Sequence, residues 1–129
     1  MLSDRSNSRK QGDVGLGSAI AWFTSQEYTV CVPLTDNQDY DLVVEKDEGL
    51  QRVQIKTTYH KSEYGVYKAN LRVCGGNRSG HTVKNFDKEK VDLVFILVEN
   101  GQKYVVPSKS IDVVNQLSLG KKMVKYKVE

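Results

Sequence analysis

Apolar and polar residues alternate through much of this chain, and the alternation divides it into short strands framed by two helical stretches. In "GDVGLGSAIAWFTSQE" the apolar residues Leu16, Ala19, Ile20 and Phe23 recur at the spacing of one helix face, with Asp13 placed to cap its start. "YTVCVPL" (28–34) reads as a strand closed by Pro33, and "YDLVVE" and "LQRVQIKTT" as two more joined by the turn residues "KDEG". "VYKANLRVC" (66–74) alternates again and leads into the basic, glycine-rich loop "GGNRSGH" (75–81). "VDLVFILVE" (91–99) is continuously apolar, as expected of a strand buried on both faces. Asn100–Gly101 marks a hairpin turn returning through "KYVVP". "SKSIDVVNQL" reads as a short late helix with Gly120 as its stop, and "KMVKYKV" as an edge strand whose lysines discourage pairing. This order predicts an α/β (α+β-like) fold, a central mixed sheet flanked by helices.

The hairpin 41–56 brings polar residues together. A turn centred on Asp47–Gly49 places Glu45 opposite Arg52, Val43 opposite Gln54 and Asp41 opposite Lys56. Those six share one face, while Leu42, Val44, Val53 and Ile55 fill the apolar one. A one-residue slip would bury Asp41, Gln54 and Lys56 in the core, so the pattern selects this parity. A following strand in the same sheet would add Lys68, Asn70 and Arg72 to the polar face and turn Tyr67, Ala69, Leu71 and Val73 inward. Glu45 with Arg52 is expected to be a structural pair near the turn.

With 129 residues the chain suits one domain, residues 11–129, behind a polar and frayed start at 1–10. No apolar run is long enough to span a bilayer and the start lacks a signal-peptide core, so an intracellular, cytoplasmic and DNA-associated protein without a membrane is expected. Cys31 and Cys74 lie in apolar contexts without metal-site spacing and read as reduced core or near-core thiols. Charge is segregated. Residues 31–60 hold six acids against three bases, residues 61–90 seven bases against three acids, and residues 101–129 six lysines against Asp112 and Glu129. An acidic centre with basic flanks suits a cation site beside a polyanion groove; an ordinarily charged surface reads the same way.

One face collecting an acid, an amide and several cations can hold a divalent metal and a phosphodiester together. Hydrolysis of that ester needs charge neutralisation and an activated water, and Mg²⁺ takes oxygen donors while keeping waters of its own. Asp41 is the available carboxylate, the Ile55 carbonyl a backbone donor, and Gln54 offers an amide oxygen. Lys56 can position the water or steady charge on the phosphate. Alone, Asp41 opposite Lys56 also describes an ordinary cross-strand ion pair, worth about 0–1 kcal/mol if exposed.

"YD" (40–41), a hairpin, then "QIK" (54–56) resembles the PD-(D/E)XK nuclease pattern, with Gln54 in the position of the second acid. With "GDVGLGSAIAWFTSQEYTVCVPLTDNQDYDLVVE", "RVQIKTT", "GGNRSG" and "YVVP", the chain is similar over about residues 11–119 to the group I intron-associated homing endonucleases of that superfamily. The resemblance implies a restriction-endonuclease-like core and Mg²⁺-dependent double-strand DNA cleavage, with Mn²⁺ as a substitute ion and no nucleotide cofactor. It also implies a homodimer or homotetramer. Asp41, Gln54 and Lys56 become the catalytic residues, with Asp41, Gln54 and Ile55 at the metal. Many superfamily members add a first-helix glutamate. Leu16 follows Gly12-Asp13-Val14-Gly15 here, and Asp13 is the nearest acid. Lys61, Lys68, Asn70, Arg72, Asn77, Arg78 and Lys84 are the expected DNA contacts. The alternatives are a junction-resolving or repair nuclease of the same superfamily, or a catalytically inactive DNA-binding protein on its scaffold.

Overall fold

The computed structural model describes residues 8–47, 49–74 and 83–129. The long helix α1 (Ser8–Ser25) leads into β1 (Thr29–Cys31), β2 (Leu42–Lys46) and β3 (Gly49–Thr58). Three short strands follow: β4 (Lys68–Asn70), β5 (Val73–Cys74) and β6 (Val83–Lys84). Next come β7 (Leu93–Val98) and β8 (Lys103–Pro107), a 3-10 turn at Ser108–Ser110, and β9 (Gln116–Ser118). A second 3-10 segment, Lys121–Tyr126, and β10 (Lys127–Val128) close the chain. The main sheet has six strands in the order β1-β2-β3-β7-β8-β10, with β3 and β7 parallel and the other neighbours antiparallel. The expected mixed sheet is therefore present, with one helix on it.

β7 explains the sheet's two-sided burial. Its six residues are all buried and alternate between two cores. Leu93, Phe95 and Leu97 join Leu42, Val44 and Val53 beneath α1. Val94, Ile96 and Val98 face the other way, under Ala69 and Leu71 from the β4 region and Ile111, Leu117 and Leu119 from the C-terminal segment. On α1 the fully covered stripe is Gln11, Gly15, Ala19 and Phe23, one turn apart each, with Leu16 and Ile20 half-buried beside it. Phe23 meets Trp22 and Tyr28 edge-on at centroid distances of 4.9 and 5.1 Å and lies 6.0 Å from Phe95.

Gly15 sets how closely α1 approaches β3. A Cβ there would sit 2.7 Å from Thr57 Cγ2 and 3.3 Å from Ile55 Cγ2. A Gly15→Ala variant gains about 1 kcal/mol of helix propensity but must lift the helix off the strand, a strain of about 1–3 kcal/mol. The expected result is a protein no more stable than wild type in a denaturant melt.

Several expectations are corrected. The β2–β3 hairpin is two residues tighter: Leu42 faces Val53, Val43 faces Arg52, Glu45 faces Leu50, and Lys46 faces Gly49, whose φ of 92° suits glycine alone. A shift of two keeps every side chain on its predicted face, so the apolar set is unchanged. Arg52 pairs with Asp92 rather than Glu45, through Nε at 3.0 Å and a backbone amide at 2.7 Å. This pairing, chiefly its side-chain hydrogen bond, holds the Asp92 carboxyl below the usual carboxylate range. β3 is followed in the sheet by β7, and β4 instead pairs β9 in a separate two-stranded ribbon. The late helix is only a 3-10 turn, and Gly120 precedes the second 3-10 segment instead of stopping a helix. Of the predicted last strand, Lys127 and Val128 alone pair, at the sheet edge. Asp13 lies inside α1, not at its cap, and residues 8–10 are already helical. Cys31 is exposed on the outer strand β1 rather than buried. The glycine-rich loop 75–81 lies outside the described residues, and with it Asn77 and Arg78. No described helix is long and apolar enough to cross a membrane.

Candidate active site

β2 stops pairing with β3 at Leu42–Val53, while β3 runs on for five more residues. Beyond that point, among the described residues, no strand pairs with β3 on its β2 side. In a strand the N–H and C=O of one residue point the same way, and the Ile55 N–H points to the β2 side, where it donates to Asp41 Oδ2 at 2.7 Å. The Ile55 carbonyl is therefore directed into the same gap. An open cleft of about 500 Å³ occupies it, lined by Gly12 and Leu16 of α1, by Asp41, by Ile55, Lys56 and Thr57 of β3, and by Asn70 of β4.

The hairpin fixes Asp41 tightly. Its amide donates to the Val53 carbonyl at 2.8 Å, which continues the ladder by one residue and turns the carboxylate back over Ile55. The residue keeps solvent contact, yet its pKa is raised above 3.8, first by lost hydration, against the lowering effects of the Ile55 amide and then of the Lys56 charge. Lys56 Nζ donates to the Arg72 carbonyl at 2.8 Å, so the β4–β5 segment holds the ammonium from the far side.

Gln54 is buried, 3% exposed, on the face away from α1. Its Nε2 donates to the Asp39 carbonyl at 2.9 Å, which fixes the amide's orientation. Its Oε1 is buried and has no hydrogen-bond partner. An orphaned buried oxygen costs about 1–3 kcal/mol, and this atom is an acceptor with no partner among the described residues. Such an oxygen can accept a cation, but Gln54 is not among the residues that line the cleft; Asp41 and Ile55 do line it, and their carboxylate and carbonyl oxygens suit a hard divalent ion. The pair carries a single negative charge. Among the described residues no cluster of three His, Cys, Asp or Glu is found. Asp13 is exposed on α1 and does not line the cleft, although its neighbour Gly12 does.

A second cleft of about 420 Å³ continues along β3, lined by Gln11, Thr57, Thr58, Tyr59, His60, Lys68, Asn70 and Gln116. Thr57 and Asn70 border both, so the two form one groove. Of the expected DNA contacts, Asn70 and Lys68 line it. Arg72 is exposed and gives its carbonyl to Lys56. Lys61 lies over the Tyr67 ring at 5.0 Å, and Lys84 pairs with Asp39 at 3.4 Å. Leu16 was read only as part of the helix's apolar face, and Gly12 went unassigned in the sequence, as did Gln11. A polar residue on the otherwise closed helix stripe Gln11-Gly15-Ala19-Phe23 was the available signal for the last.

Comparison with known proteins agrees with this geometry. A family model described as PD-(D/E)XK endonuclease matches residues 6–125. The chain is similar to a solved structure titled "The structure of a bacterial homing endonuclease: I-Ssp6803I", at 26% identity and a TM-score of 0.75, over 94% of this chain and 89% of that one. No curated protein matches. An aspartate at a hairpin's entry, a lysine two residues past a buried amide, and a family match over nearly the whole length lead to one conclusion: the chain belongs to the PD-(D/E)XK endonuclease family and is a nuclease.

Proposed function

We propose that this nuclease is a sequence-specific, Mg²⁺-dependent enzyme of the homing type that breaks both strands of duplex DNA. The observation that carries the reading is the meeting of Asp41, Lys56 and the uncovered Ile55 edge in one open cleft. The mutual coverage with a bacterial homing endonuclease supports the finer assignment. Enzymes of this family generally use divalent metal ions. Asp41 and the Ile55 carbonyl would hold such an ion, and Mn²⁺ fits the same oxygens. When bound, it supplies charge neutralisation at the phosphoryl oxygens and a more acidic water.

The chain's own residues do the rest. Lys56, braced by the Arg72 carbonyl, sets a fixed positive charge beside Asp41, where a phosphodiester gains charge during attack. Asn70 and Lys68 continue the contact along the groove with a hydrogen-bond donor and a cation. One groove serves one strand, so a symmetric homodimer or homotetramer supplies the second cut.

The test compares wild type with Lys56→Ala on a DNA library, with Mg²⁺ and with chelator. Discrete double-strand breaks that need Mg²⁺ are expected. Loss of the ammonium should slow cleavage about 10²–10³-fold, the scale of one electrostatic donor, while DNA binding persists. Cleavage that survives chelation, or that Lys56→Ala leaves intact, would remove the reading.

A further inference from the structure

We propose that the lysine face of the 3-10 segment Lys121–Tyr126, continued by Lys127, is a second DNA-contacting surface that grips the phosphate backbone of duplex flanking the cleavage site without reading its sequence. The inference rests on DNA lying in the groove, as proposed above.

The 3-10 period creates the face. With three residues per turn, Met123 and Tyr126 share one side, and both pack against the core beneath the β4–β9 ribbon. Tyr126 Oη donates to Ser110 Oγ at 2.9 Å, anchoring the segment. Lys122 and Lys125, also three apart, are thereby turned outward in one line, about 6 Å apart at a 3-10 rise. Lys125 Nζ lies 5.3 Å over the Tyr126 ring, which steadies it. Lys121, Lys122, Lys125 and Lys127 are all exposed. Among the described residues the ion pairs are Arg52–Asp92 and Lys84–Asp39, so no carboxylate neutralises these four.

The register ties this face to the cleft. Lys56 faces Ile96, Ile96 faces Tyr104, and Tyr104 faces Lys127, so Lys56 and Lys127 share one row across the sheet. Three strand spacings separate them, about 14 Å. That lies well inside one helical turn of a duplex, about 34 Å. The groove itself leads there. It is lined by Gln116, at the start of β9, and β9 runs on to Ser118 and the 3-10 segment. Lysines are compact charges without the fork that reads base edges, so they suit backbone contact. The ordinary role of edge lysines, discouraging strand pairing, makes no demand on DNA.

Fluorescence anisotropy across a salt series, with random-sequence duplexes of about 10 and about 30 base pairs (one and three turns), separates the two roles. The variant is Lys122→Glu with Lys125→Glu. The control, Lys88→Glu with Lys90→Glu, changes charge equally at the opposite end of β7. For the long duplex, a loss of about tenfold and a fall of about 2 in the salt slope are expected from the variant. The short duplex, one turn long and so reaching a face about 14 Å away, should show a smaller loss in the same direction, while the control and a Lys122→Arg, Lys125→Arg protein should match wild type. Equal loss in the control, or no loss in the variant, would overturn the basic face alone. Failure of wild type to bind either duplex would instead overturn the placement of DNA in the groove.

Discussion

An Asp41→Asn protein is expected to lose cleavage and to gain stability at neutral pH. Activity should fall at least about 10²-fold, because the only carboxylate that lines the cleft among the described residues is gone and with it the charge that a divalent ion needs. Asn keeps an oxygen that can accept the Ile55 amide, so the local fold is retained. The stability gain follows from linkage. Folding raises the Asp41 pKa, chiefly through lost hydration, so near neutral pH the charged form is less favourable in the folded state than in the unfolded one. In the window between the unfolded value near 3.8 and the raised folded value, the native state binds more protons. Stability of the wild type therefore falls as pH rises through that window, and the penalty is absent below it. Thermal melts of both proteins from neutral to acidic pH should show the Asn variant ahead near neutrality and the gap closing as pH falls. A wild type that outlasts the variant at neutral pH would contradict the assignment of Asp41 as a functionally held, structurally costly charge.

The second large effect is on stability. Phe95→Ala should destabilise the protein by about 3–5 kcal/mol, a large part of the 5–15 kcal/mol that holds most domains. Phe95 is fully buried at the middle of β7, with Trp22 and Phe23 of α1 centred 6.4 and 6.0 Å away. Removing it opens a cavity beneath α1, and α1 is held at a fixed height by Gly15 against Thr57. Urea unfolding should show a lower midpoint with an unchanged slope. A loss under about 1 kcal/mol would mean that the helix re-seats freely, contrary to the tight contact at Gly15.

The strands and the site were legible in different ways. β7 announced itself by six apolar residues in a row, and the Asn100–Gly101 hairpin by its dipeptide, because each is a local property. The faces of β2 and β3 were legible because parity is local too. Their register was not, since a shift of two residues leaves every face unchanged. The segment 108–117 misread as helix carries Ile111, Val113 and Val114, whose branched side chains disfavour helix; that signal was present. What β9 pairs with was not, since Lys68–Asn70 lies far off in sequence. The position of β7 between β3 and β8, displacing β4 from the sheet, was hidden for the same reason. Asp41, Ile55 and Lys56 nevertheless meet, because their proximity depends on one hairpin. The groove beyond them, with Gln11 and Gln116, depends on four separate segments and left only the polar residue on the helix stripe as a trace.

β3, like β7, turns its two sides to different halves of the molecule, with Val53 and Ile55 under α1 and Thr58 bonded to the Lys68 carbonyl of β4. The reacting groups thus straddle a seam, and each half of the molecule contributes one jaw. Softening either half shifts its jaw against the other before the chain as a whole unfolds. Heat inactivation of this nuclease should accordingly precede its melting, and anything gripped in the cleft fastens the two halves as a rivet fastens two plates.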